Sequence, residues 1–83
     1  MSLEEKIFNL IKGEVTNQGY ILDSVEYVLE GSVQFLRIVI DKDGFINVDD
    51  CIKVCRAINP ILDENDPIEE QYMLDVCSKE KGR

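Results

Sequence analysis

The spacing of apolar residues along this 83-residue chain predicts an α+β fold. The expected architecture is a two-layer α/β sandwich in the order α-β-β-α-β, a three-stranded sheet with both helices on one face. Three observations lead there. Apolar residues recur at helical spacing in two segments, two runs rich in Val, Ile, Tyr and Phe flank a short turn, and a third such run follows the second helical segment. An amphipathic helix and a one-sided sheet each need a partner for their apolar surface, and packing them together is the smallest solution.

The first helix is signalled by Leu3, Ile7, Leu10, Ile11 and Val15, with Glu4, Glu5, Lys6, Lys12 and Glu14 on the other side. Ser2 and Glu5 stand at capping-box spacing, and Gly19 stands where a left-handed residue would end the helix.

Residues 20–29 and 34–41 read as a β-hairpin joined through Glu30-Gly31-Ser32-Val33. Pairing Tyr27 with Leu36 and Val25 with Ile38 places apolar residues on one face and sets Glu26 opposite Arg37 on the other. That register leaves Val28, Phe35 and Val39 pointing outward, more apolar surface than a solvated sheet face usually carries.

The next ten residues, 41–50, read DKDGFINVDD, and half of them are Asp or Asn. An EF-hand calcium loop places Gly at its sixth position and Glu at its twelfth; here the only Gly is fourth from Asp41, and Ile52 occupies the twelfth place. The stretch is instead a turn, Asp41-Lys42-Asp43-Gly44, followed by a helix N-cap at Asn47 with Asp50 three residues on. Ile46 and Cys51 are spaced as a hydrophobic staple, and Asp49 and Asp50 face the positive end of the helix dipole.

The second helix carries Cys51, Val54, Cys55, Ile58, Ile61 and Leu62 on one face. Pro60 removes a donor and disfavours helical geometry at Asn59, so a kink, or a fresh turn capped by Asn59, is expected there. The acidic residues Asp63, Glu64, Asp66, Glu69 and Glu70 follow. Such a run is ordinarily a solvated connection, and it is also the candidate surface for a basic partner. Residues 72–77 form the third strand, which the helical crossover allows to pair parallel to a hairpin strand, its pairing left open by the sequence. The domain is expected to span 1–78, with 79–83 a polar tail or linker.

Composition limits the function classes. Nine basic against seventeen acidic residues give a formal charge of −8, with no His. That field repels phosphate and favours cationic protein surfaces. Three cysteines without a secretion signal read as reduced, mostly buried thiols. No apolar run is long enough to span a membrane, and the chain is expected in the cytoplasm. There is no nucleophile elbow, P-loop or glycine-rich phosphate cradle, and Asp49 and Asp50, adjacent on a helix, diverge. No catalytic residue, cofactor or metal ligand is expected.

The motifs G-Y-x-L-x-x-V-E-Y-V at 19–28, L-R-I-V-I-D at 36–41, V-D-D-C at 48–51, V-C-R-A-I at 54–58 and L-D-x-x-D-P-I at 62–68 occur in that order. In this sequence they resemble the amino-terminal domain of the ribosome maturation factor RimP family, over nearly the whole chain. The resemblance implies a cytoplasmic, non-enzymatic factor that associates with the small (30S) ribosomal subunit during its maturation. Family members continue into a small Sm-like or SH3-like barrel domain, the expected continuation where this chain is a piece of a longer protein. After the third strand the family pattern S-S-P-G-L-D-R-P-L is kept here only at one Ser, within Cys77-Ser78-Lys79-Glu80-Lys81-Gly82-Arg83.

Three functions are then compared. The favoured one is a monomeric protein-interaction domain of ribosome assembly whose acids, Asp63, Glu64, Asp66, Glu69 and Glu70, meet a basic ribosomal protein surface. An RNA-binding α/β module ranks second, because the chain has no GXXG loop and the wrong charge. An acidic interaction domain with an unrelated partner is third.

Overall fold

The computed structural model describes residues 2–65 and 67–79. The elements run α1 (Leu3–Asn17), β1 (Ile21–Glu30), β2 (Val33–Asp41), α2 (Val48–Asn65) and β3 (Met73–Ser78), the order expected. The sheet order is β1-β2-β3, with β1 antiparallel and β3 parallel to β2. The central strand therefore comes from the middle of the hairpin and crossover sequence, which settles the pairing of β3.

Helix α1 begins as its sequence requires: the Glu5 N–H donates to Ser2 Oγ at 3.1 Å. It ends in a Schellman arrangement. The Tyr20 N–H reaches back to the Val15 carbonyl at 3.1 Å and the Gly19 N–H to the Thr16 carbonyl at 3.0 Å. Gly19 adopts φ 93°, where a side chain would be strained. This closure drops Tyr20 and Val15 together into the core.

The hairpin has the predicted register, with Tyr27 opposite Leu36, Val25 opposite Ile38 and Glu26 opposite Arg37. Gly31, at φ 62°, opens the two-residue turn. The pairing slips between Leu22 and Ser24, leaving Asp23 as a bulge. The physical reason is visible in the sequence spacing: Leu22 and Val25 are both buried, yet residues three apart on a regular strand face opposite sides. One extra residue puts both on the core face.

Arg37 does not use the carboxylate opposite it. Its guanidinium donates to Glu30 at 2.8 Å and to Asp75 at 3.2 Å, because parallel β3 places Asp75 directly across from it. Val28, Phe35 and Val39 line the outer face as expected and are half-buried; β3 adds Met73 and Cys77 beside Phe35 and Val39.

The core lies between this sheet and the two helices, which also pack on one another. Ile7, Ile11 and Val15 of α1 and Val54, Ile58 and Leu62 of α2 meet Leu36, Ile38 and Ile40 of β2, all buried. Alternate residues of β2 supply that surface, so both helices cover the same sheet face.

Helix α2 removes one of the two alternatives expected at Pro60, the fresh turn. It runs unbroken to Asn65 with Pro60 inside it, and Asn59 caps no new helix. A proline costs about 3 kcal/mol in a helix interior, whereas fully burying an Ile or Leu side chain is worth about 1.5–3 kcal/mol. Ile58 and Leu62, on either side of the proline, are both buried, and together they outweigh it. Pro60 itself is exposed, where water can hydrate the carbonyl it leaves unbonded.

The outer edge of β1 is not bare. Glu4, in the first turn of α1, accepts the Tyr27 N–H at 3.0 Å. Among the described residues no helix is long and apolar enough to cross a membrane.

Candidate protein-binding groove

The acidic stretch 41–50 is consumed by local structure. Asn47 Oδ1 accepts the Asp50 N–H at 3.0 Å, and Asp50 Oδ2 accepts the Asn47 N–H at 2.9 Å, a reciprocal capping box. Asp50 also accepts the Tyr20 hydroxyl at 2.5 Å and meets Lys42 Nζ at 3.2 Å. Its pKa is lowered to about 2, first by the Tyr20 hydroxyl and then by the Asn47 amide. Tyr20 is correspondingly raised to about 12, by the bond to Asp50 and then by burial. Lys42 and Lys53 lie 5.6 and 5.8 Å from the Tyr20 ring centroid, within cation–π range. Asp41 accepts the Lys42 amide at 2.8 Å. These carboxylates tie β2, the turn and α2 together.

The later acids occupy a different situation. Asp63 and Glu64 fall in the last turn of α2, a turn with no basic residue. The negative end of the helix dipole therefore coincides with two carboxylates. Asn65 partly relieves the helix end by donating its side-chain amide to the Ile61 carbonyl at 2.8 Å. Glu69 and Glu70 follow in the connection to β3, and all four residues are exposed. Asp66 lies outside the described residues.

Asp63, Glu69 and Glu70 converge on an open groove of about 770 Å³ between the C-terminal end of α2, the connection at 67–72 and the start of β2. Glu64 is not among its lining residues. Leu62, Ile68 and Leu74 give it an apolar floor, and Val33 and Met73 add rims 41% and 58% exposed. Among the described residues no ion pair involves Asp63, Glu69 or Glu70. Beside the groove, the Tyr27 hydroxyl is shut off from solvent without a hydrogen bond of normal geometry. Burial raises its pKa, and the charge and hydrogen bonding of the nearby Glu70 carboxylate raise it further.

A second depression, of about 340 Å³, lies between α1 and β1 and is also acidic. Its charges are engaged, however: Glu4 holds the Tyr27 amide, and Asp23 pairs with Lys79 at 3.1 Å. The three cysteines are free thiols. Burial pushes Cys51 and Cys77 above the ordinary thiol range, which suppresses the reactive thiolate.

The groove could not be foreseen from the acids alone, since Val33 and Gln34 join it from a separate element, the hairpin, distant in the chain. A further surface was also missed. Phe45 is 94% exposed and Val48 74%, with Ile52 half-exposed, at the opposite end of α2. The signal was available, because Val48 and Ile52 are four apart and lie off the Val54, Ile58, Leu62 stripe.

The fold and site thus define a small two-layer α-β-β-α-β domain in which Asp50 braces a turn and exposed acids border a groove. Residues 10–79 match the family model described as the RimP N-terminal domain, and the chain belongs to that family.

Proposed function

We propose that this chain is a non-catalytic ribosome assembly domain that associates with the small (30S) subunit during its maturation. It acts in the cytoplasm, as a monomer, and Asp63, Glu64, Asp66, Glu69 and Glu70 steer it to a basic ribosomal protein surface. Residues 1–78 form the domain, and 79–83 are a polar tail or a truncated linker. The observation that carries this reading is the family match across residues 10–79. Supporting it, three of those acids share one groove, and the most strongly shifted carboxylate, Asp50, is committed to a cap rather than to chemistry. Complementary charge raises the rate of encounter more than it raises affinity.

The test is co-sedimentation with immature small subunits, wild type against a chain in which the acids are reversed to lysine. Wild type is expected to co-sediment and the reversed chain to associate more slowly, with a weaker dependence on salt. Unchanged association after reversal defeats the steering role. Binding to bare ribosomal RNA that falls steeply with salt would place the contact on RNA instead.

A further inference from the structure

We infer that the groove is a docking site for an extended, lysine- or arginine-rich protein segment carrying an apolar anchor side chain. The inference rests on the reading above and gives it a location. Four observations converge. Among the described residues its lining contains three carboxylates, Asp63, Glu69 and Glu70, and no basic residue. The last turn of α2 adds the negative end of its dipole without a compensating cation. The floor is apolar, and on the rim Val33 and Met73 are large side chains left in water beside the acids, so a purely ionic partner would leave that surface uncovered. Finally, β2 begins two residues before its pairing with β3, which starts at Phe35 and Met73. Val33 and Gln34 therefore lie at the open end of that ladder, where with residues 71 and 72 of the connection they wall an elongated groove that an extended segment fits.

Charge selects among occupants. A second copy of this chain docked symmetrically would bring the same acids together in a protein already at −8. Nucleic acid would bring phosphates to the same carboxylates. A basic peptide satisfies the rim, and its apolar side chain satisfies the floor.

The experiment titrates the isotope-labelled chain with a short synthetic peptide of alternating lysine and leucine. Amide resonances of Val33, Gln34, Asp63 and Ile68 are expected to move. Replacing the leucines by serine, or changing Met73→Ser, should weaken binding about tenfold, as should Glu69→Lys with Glu70→Lys. Asp43→Lys with Asp49→Lys changes net charge equally at the other end of α2 and should cost less than about threefold. Circular dichroism confirms that each variant is folded. Equal losses from both charge pairs, tight binding of the serine peptide, shifts elsewhere, or occupancy of the same amides by oligouridylate would overturn the inference. Co-sedimentation keeps the two readings apart. Peptide mapping to the groove without small-subunit association upholds the groove and removes the ribosomal role; association without groove mapping does the reverse.

Discussion

Asp63 and Glu64 sit at the end of α2 where the dipole favours cations, so their removal should make the protein more stable. Each cation near a helix C-terminus is worth about 0.3–1 kcal/mol, and an anion costs a similar amount. Reversing one acid to lysine therefore shifts stability by about 0.6–2 kcal/mol. Both residues are exposed, which argues for the lower half of that range. The double variant Asp63→Lys/Glu64→Lys should gain about 1–3 kcal/mol, or roughly 5–20 °C in Tm for a domain of this size. Urea and thermal unfolding at low ionic strength measure the gain. Repeating them near 1 M salt, where the screening length is about 3 Å, should remove most of it. A loss of stability, or a gain indifferent to salt, would refute this account and show that the acids have structural partners. A gain in stability accompanied by slower partner association would mark them as residues kept for binding at a cost to the fold.

Other predictions concern the bracing of the fold. The Asp50 carboxyl is held at about 2 against an ordinary 3.8, so its contribution is complete above pH 3.8 and disappears as pH falls through about 2. Asp50→Asn should lower stability at neutral pH and flatten the acid limb of a urea midpoint series. Tyr20, at about 12 rather than 10.0, contributes below pH 10 and is lost as pH rises through about 12; Tyr20→Phe should return Asp50 toward an ordinary carboxyl titration by NMR. Gly19→Ala should cost about 1–2 kcal/mol by backbone strain alone, since a Cβ there meets no atom within 4 Å. Gly13→Ala, in the interior of α1 with the same open space, should instead gain about 0.8–1 kcal/mol. Glu4→Ala should speed hydrogen exchange at the Tyr27 amide while leaving amides paired within the hairpin protected.

The fold was legible because it rests on local rules. Ser2, Gly19, Asn47 and Asp50 each occupy positions where one backbone geometry suits them, and the hairpin register followed from matching Tyr27 and Val25 to Leu36 and Ile38. What escaped depends on distant partners. The bulge at Asp23 appears only when both Leu22 and Val25 must reach one core. Helix continuity through Pro60 depends on what Ile58 and Leu62 bury against, and local propensity says nothing of that. Arg37 chose Asp75 because of β3, whose neighbour no spacing rule fixes. The acids of the candidate site were visible as a run, but the groove requires Val33 and Gln34 from the hairpin, and Glu64 proved to lie outside it.

The link between Lys79 and the body of the domain has a directional consequence. Its amide donates to the Ile40 carbonyl at 2.8 Å, and its ammonium reaches Asp23. β3 starts at the groove and carries the chain six residues away from it, about 20 Å at strand spacing. Lys79 therefore pins the exit of β3 beside Ile40 and Asp23, at the end of the strand remote from the groove, so strain applied there is borne by the hairpin before it reaches the groove.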